Sequence, residues 1–488
     1  MPLNLITDAW IPVTRSDGGD RVIRPDQIAE PGVIFPDWPR ADLNIACLEL
    51  LIGLVFLADP PEDDIDWAER SADPARLRAK LAPFARAFDL LGEGPRFLQD
   101  LEALEGEASG PDMLFIDSAG GNTARNNADL MVRRGRYPAL DLPMAAMALY
   151  TLQAHAPSGG AGNRTSMRGG GPMVTLVDSG RGRLWDLVWA NVPEGRAADI
   201  DALPWMRDTV TSQKGAQIHP AAAHPAEAFF GMPRRLRLLG GDAVTGVIQK
   251  PWGTNYAGWV HPLTPAYRVK EGAELLPLHP RAGAFGYRNW LGVVVEMPGD
   301  EADLRRRSAC LDSYERRVLP RDRAGASVIV AGWSMDNMKP RDFVWSRQPV
   351  LPEVDQKTLI AMIQSAEVFG GALRGALKGV AGEGSALDAL REEFFVETQA
   401  DFEIALAGLL RGRAVAADWV ATMARVALAI FDRQALPGLD RRPPEAMERI
   451  IRARDGLRAV LAGWRKPGSD VFLRLGLEPA ARAKGEAA

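Results

Sequence analysis

Along the first forty residues the apolar side chains come in short bursts, Leu3 to Ile6 and then Trp10 to Val13, followed by a run of turn formers from Arg15 to Asp20. That pattern predicts short strands joined by a hairpin. From Ile45 to Leu57 the chain is apolar all round, which predicts a buried core helix, with Asp42 as its N-cap. Helical periodicity resumes after Pro60-Pro61 and continues to about Phe97. Between Ser118 and Pro138 no period is visible, the mark of a functional or a disordered loop. Residues 143–153 predict a helix and 173–177 a strand, so the segment between them is tethered at both ends. From 184 to about 354 the pattern is mixed short strands and loops. Within it, 328–333 and 342–345 predict a hairpin whose tip carries Asp336, Asn337, Met338 and Lys339.

After Pro352 the period becomes helical and stays so. Leu359, Met362, Ile363, Ala366, Phe369 and Leu373 share one face, and three further amphipathic segments follow, the last opening at Pro443-Pro444. Four such segments in a row predict a helical bundle. The fold expected is therefore α+β: a large mixed α/β domain over 1–357, a four-helix bundle over 358–477, and a disordered tail over 478–488, where nothing apolar is left to bury. The pattern leaves open whether the N-terminal region is one domain or two.

Composition adds little to this: 47% hydrophobic and 25% charged residues describe an ordinary globular protein. The start carries no basic stretch followed by an apolar one, and no segment approaches about 18 uninterrupted apolar residues. A cytoplasmic protein with no membrane partner is expected. Cys47 and Cys310 are the only cysteines, too far apart in sequence for a Cys-x-x-Cys pair, and are expected to be buried small hydrophobes. Charge distribution is more telling than the net charge of −5, which argues against bulk coating of nucleic acid. Residues 41–120 hold 17 acidic and 6 basic side chains, whereas 121–172 hold 6 arginines against Asp129 and Asp141. A confined basic edge on an otherwise acidic body suits a module that reads one place in a larger assembly.

That edge ends in the most distinctive segment, residues 158–172, with six glycines and two arginines. Glycines tolerate positive φ and expose bare N–H groups, and Arg164 and Arg168 supply forked donors suited to phosphate oxygens. The segment lacks the Gly-Lys-Ser/Thr ending of a nucleotide-binding loop and the spacing of a dinucleotide fingerprint. A nucleic-acid-facing loop is the functional reading, and a mobile surface loop without ligand is the alternative. Catalysis finds no foothold. The five histidines, His155, His219, His224, His261 and His279, form no paired ligand spacing, and there is no Gly-x-Ser-x-Gly elbow. The acidic pair Asp63-Asp64 is accounted for by a helix N-terminus. No enzyme, metal or cofactor is expected.

Several short segments, in order and spacing, carry a resemblance along nearly the whole chain: residues 5–13, 39–51, Ser166 to Pro172, Trp259 to Pro265, Ala331 to Met338, and the C-terminal helices. Together they resemble CasA, the family of large subunits of the type I-E CRISPR surveillance complex, Cascade. The resemblance implies a mixed α/β domain followed by a four-helix bundle. It implies a non-catalytic subunit that finds the protospacer-adjacent motif (PAM) of double-stranded DNA from the minor-groove side, helps open the duplex for R-loop formation with the guide RNA, and recruits a helicase-nuclease in antiviral defence. Minor-groove readout is degenerate, which suits a permissive short motif when guide pairing supplies the sequence specificity.

Residue by residue, Met167, Arg168, Gly169 and Gly170 match the family's glycine loop, which enters the minor groove, with Arg164 beside it. Asp336, Asn337 and Met338 match the wedge at the hairpin tip. An amide pair is common there in the family; here the Asp336 carboxylate either reads a guanine amino group or caps the turn. Lys250 lies near a DNA-contacting lysine, with Pro251 as the competing match. Asn126, Asn127, Arg133, Arg134 and Arg136 match a loop that engages the complex near the 5′ handle of the guide RNA. The cysteine cluster that some relatives carry after the equivalent of 234–238 is missing here, so zinc is not expected. Arg411, Arg413, Arg441, Arg442, Arg449 and Arg452 border either the displaced strand or solvent. Two other readings stay open: a scaffold subunit whose loops never read DNA, and a metal-dependent hydrolase using the acidic cluster.

Overall fold

The computed structural model describes residues 3–479 apart from 119, 128, 130, 131, 161, 298, 300–303 and 353; the tail expected over 478–488 lies almost wholly outside the described residues. The chain forms two compact units, 1–283 with 298–350, and 284–297 with 351–488.

The first unit is organised around the Ala41–Ala58 helix, buried over nearly all its length. This helix is long and apolar enough to cross a membrane, but 89% of it is covered by the rest of the protein. Asp42 is not its N-cap. That position is Arg40, and the Asp42 carboxylate is held instead by the Arg40 guanidinium at 2.8 and 3.0 Å. The Leu142–His155 helix packs on it, begun by Asp141, whose carboxylate accepts the Met144 N–H at 2.8 Å. Around these helices lie three-stranded sheets. One joins Ile11–Arg15 to Val22–Ile23 and Val33–Pro36, the hairpin expected from the turn formers between 15 and 20. Another pairs Arg235–Gly240 with Ala243–Lys250. A third sets Val174–Asp178 antiparallel to Ser327–Asp336, which pairs on its other side with Lys339–Pro349. The aperiodic stretch from 118 to 138 contains one short helix, Gly121–Arg125.

The second unit contains four long helices, Gln356–Leu377, Ser385–Leu409, Ala416–Ala435 and Pro444–Leu461, and a short fifth, Gly468–Leu475. The face from Leu359 to Leu373 that the periodicity picks out is the buried one. Residues 284–297, assigned by sequence to the first domain, pack here, because their aromatic rings find partners among the helices. Tyr287 stacks on Phe402 at 4.3 Å between ring centroids and shares a 2.8 Å hydrogen bond with the Thr398 hydroxyl, while Trp290 meets Phe402 edge-on at 5.3 Å. Tyr287→Ala is expected to destabilise this unit by about 3–5 kcal/mol, read as an early loss of helical signal in thermal melting while the first unit melts unchanged.

Candidate nucleic-acid interface

The Val174–Asp178 strand leaves the glycine loop, and the Ser327–Asp336 strand leads to the hairpin tip; they are hydrogen-bonded neighbours, Val174 opposite Ala331 and Asp178 opposite Ser327. This one sheet therefore brings Gly170 and Met338, 168 residues apart, to the same end. Past Ala331 the hairpin continues as a two-stranded ribbon alongside the glycine loop. Contact is so close that side chains are excluded: a Cβ at Gly171 would lie 2.5 Å from the Trp333 carbonyl oxygen, and one at Gly332 would lie 2.3 Å from that of Pro172. A Cβ at Gly170 would meet Met338 Sδ at 3.1 Å and Pro157 Cα at 2.8 Å.

At the tip Asp336 faces Lys339, leaving Asn337 and Met338 as a two-residue turn with φ of +49° and +61°. Both residues positive in φ match the right-handed twist of the strands, but a methionine there costs about 1–2 kcal/mol relative to glycine. The turn is closed by side chains: Asp336 accepts from the Asn337 amide at 3.0 Å and pairs with Arg341 at 2.7 Å. Of the two roles open to Asp336 in the sequence, closing the turn is the one its contacts fill. Met338 is left 45% exposed.

Arg168 departs from expectation. Its guanidinium does not reach outward for phosphate; the residue is 4% exposed and points into the core. Nη1 lies 2.7 Å from Oε2 of Glu49, a carboxylate in the middle of the Ala41–Ala58 helix with no exposure at all, and 3.2 Å from the Thr264 hydroxyl. The other Glu49 oxygen meets His155 Nε2 at 2.7 Å. Burial by itself would push the Glu49 carboxyl up, but the Arg168 charge and His155 outweigh it and hold it at about 2. His261, packed beside this cluster, is pushed well down by burial and by Arg168; its Nδ1 accepts the Leu263 N–H at 3.2 Å, as a neutral ring must. The glycine loop is thus anchored from below. Ser166 tightens the anchor by donating its hydroxyl to the Gly169 carbonyl at 2.5 Å, and Gly169, at φ +76°, presses on His279, whose Nε2 lies 2.7 Å from where a Cβ would be.

The outer part of the loop is tied elsewhere. Arg164 lies over the Trp252 ring at 5.7 Å and donates Nε to the Ser212 hydroxyl at 2.8 Å; the Trp252 N–H donates to the Gly162 carbonyl at 2.9 Å. Lys250, half-buried, ends the strand two residues before Trp252. Met167 packs toward Gly231, where a Cβ would lie 3.3 Å from its Cε. Sequence reasoning missed Arg234, which lies under the loop, 6% exposed, donating to the Pro157 carbonyl. Among the described residues no carboxylate pairs with it, and burial lowers it to about 10. Nothing in an Arg-Arg-Leu-Arg-Leu strand distinguishes this buried arginine from its paired neighbour Arg235, which meets Asp100 at 2.6 Å.

In the loop from 126 to 136 the basic residues are partly spoken for. Arg134 pairs with Asp129 at 2.5 Å and donates Nη2 to the Asn127 side-chain oxygen at 3.0 Å, while Arg136 pairs with Asp117 at 2.8 Å against the Tyr137 ring. Asn126 and Arg133 are exposed. Among the described residues no group of His, Cys, Asp and Glu could hold a metal ion. In the acidic cluster, Asp63 caps the Asp64–Glu69 helix and Asp64 pairs with Arg316 and Arg317. Both cysteines are buried.

A mixed helix-and-strand unit together with a helical C-terminal unit is a fold found among CRISPR-associated proteins. The profile of the family "CRISPR-associated protein Cse1" matches residues 4–430, and the chain belongs to that family. Its fold is similar to that of Thermus thermophilus CasA (Cse1), with a TM-score of 0.70 at 19% identity over 95% of this chain and 100% of the other. Thermobifida fusca Cse1 gives 0.69 at 18% identity over 97% and 98%. A chain of a CRISPR RNA-guided surveillance complex gives 0.74 at 16% identity over 93% and 99%.

Arg168→Met is expected to cost about 3–5 kcal/mol, because it strands a buried carboxylate, and Glu49→Met combined with Arg168→Met is expected to cost less than Arg168→Met alone; urea unfolding measures both. The acid dependence has two parts. The native state keeps His261 neutral, so below its ordinary 6.5 the unfolded chain gains a proton that the folded one refuses, and stability falls by up to about 1.4 kcal/mol per pH unit. The Glu49 contribution is complete above 4.5 and is lost as pH falls from there toward 2. His261→Phe should flatten the first part, and unfolding midpoints across pH test it.

Proposed function

We propose that this chain is the large, non-catalytic subunit of a type I-E Cascade complex in the cytoplasm, reading the PAM of double-stranded target DNA from the minor groove and starting duplex opening. The observation that carries the reading is the close approach of Gly170 and Gly171 to the 327–349 hairpin, Gly170 against Met338 at its tip, at one end of a single sheet. A loop held with almost no side-chain bulk fits a narrow groove, and an exposed apolar tip beside it suits a wedge between base pairs. Such wedges trade the cost of unstacking, a few kcal/mol per step, for new contacts. In this reading Met167 to Gly170 and Arg164 face the motif and Asp336 to Met338 the adjoining base step, with Lys250 as a weaker contact. Arg168 acts from beneath by fixing the loop. The exposed Asn126 and Arg133 meet the guide RNA handle or its bound subunits, with Asn127, Arg134 and Arg136 holding that loop in shape. Membership of the Cse1 family supports partnership with the other Cascade subunits, and recruitment of the helicase-nuclease would follow duplex opening.

The test is a salt-controlled gel shift of a guide-matched duplex with and without the flanking motif, using the remaining Cascade components plus or minus this chain. Binding is expected to require both chain and motif. Asn337→Ala and Met338→Gly, both at the exposed tip, are expected to reduce R-loop formation at least tenfold; Asn337→Ala melts slightly lower, having lost its amide contact and its tolerance of positive φ, and Met338→Gly slightly higher as backbone strain is relieved. Gly169→Asp is expected to abolish binding. Target binding by all three variants equal to that of the parent would leave the chain a scaffold.

A further inference from the structure

We propose that the outer turn of the glycine loop, Ser158 to Gly160 above Arg234, binds one backbone phosphate of the target duplex. The inference rests on the DNA-reading function proposed above and names a contact within it.

Arg168 and Arg234 are both buried, at 4% and 6% exposure, and they are treated oppositely. Arg168 has Glu49. Among the described residues Arg234 has no anion: Nη2 donates to the neutral Pro157 carbonyl, and Nε is buried without a partner among them. Nη1 occupies the space a side chain at Gly159 would need, 2.8 Å from its Cβ position. Removing a guanidinium from water without a counter-charge is costly, and an apolar side chain would fill the same volume without that cost. The missing charge is therefore expected to come from a ligand.

The loop above is built to receive an anion. Asn163 donates its N–H to the Gly160 carbonyl at 2.7 Å and accepts from the Gly159 N–H at 3.2 Å, which closes the turn upon itself. Among the described residues the N–H groups of Ser158 and Gly160 and the Ser158 hydroxyl are left without partners, all three residues of the turn are exposed, and Gly160, at φ +66°, opens on empty space. Arg164, four residues on, commits only Nε, to Ser212, and is held against Trp252 with its two Nη groups free among the described residues. Neutral N–H donors, a hydroxyl, one cation beside and one beneath make a phosphate site. The identity of the phosphate follows from the fold. The sugar-phosphate backbone borders the minor groove, so a loop whose Gly169 end lies in the groove carries its Ser158 end over the strand.

The experiment uses the assembled complex, a salt series, and guide-matched duplexes carrying a single neutral methylphosphonate at each position flanking the motif. For the parent, one position is expected to lower affinity about tenfold, as for a lost charge-assisted contact. Arg234→Met is expected to melt no lower than the parent, to bind the unmodified duplex about tenfold more weakly, to show a shallower salt dependence by about one unit of slope, and to be indifferent to the methylphosphonate at that position. Ser158→Ala, on the exposed side of the turn, is expected to lose several-fold at the same phosphate, and it decides the matter should Arg234→Met melt early. Unchanged affinity, slope and phosphate sensitivity in both variants would overturn the site while leaving the DNA-reading function standing. A parent complex whose duplex binding does not need this chain would overturn both.

Discussion

A single carboxylate, Glu49, sits with no exposure in the middle of the most apolar helix of the protein, and the candidate interface depends on it. Its charge survives there only because Arg168 and His155 come to it from the C-terminal end of a second helix and from the glycine loop beyond. Breaking such a pair leaves an uncompensated charge in low dielectric, which is a far larger penalty than the pair's own net contribution. The consequence is positional. A loop rich in glycine would otherwise wander, and here its middle is pinned to the core while the glycines that follow the pin, 169 to 171, stay free of side-chain bulk.

From that anchor the rest of the site follows by close approach. The glycines at 170, 171 and 332 allow two backbones to run against each other, so that the loop and the hairpin act as one surface. The hairpin tip shows the same preference for fixed shape over low energy: Met338 is held in a left-handed conformation that glycine would adopt without strain, and Asp336 is engaged in closing the turn. Positive φ and a buried ion pair serve one end, a rigid, weakly cationic edge that does not depend on bulk charge. The net charge of −5 is compatible with the proposed role because the arginines of this edge are confined to one stretch of the chain.

Family membership over 427 residues and folds similar at 16–19% identity show how little sequence this architecture needs. In this chain the exposed hairpin tip carries Asp336-Asn337-Met338, and the loop before the second long helix of the first unit carries an arginine-rich stretch at 133–136.

By itself the sequence determined the periodic parts: the all-round apolar run at 45–57, the helix before the glycine loop, the hairpin at 328–345 and the helices after Pro352, because local spacing dictates which face can be buried. The glycine loop and hairpin tip were also visible, through residue types that only special backbone shapes require. Tertiary structure decided the rest. It turned Arg168 from an outward phosphate ligand into a buried anchor, set Asp42 in the grasp of Arg40, and drew 284–297 to the helices through Tyr287 and Trp290. Among the described residues it also left Arg234 without a carboxylate while giving two to Arg235, its neighbour in sequence. Whether an arginine is spent inside or offered outside depends on which carboxylates the fold brings within about 4 Å, and that is a property of chain segments far apart, which no local pattern contains.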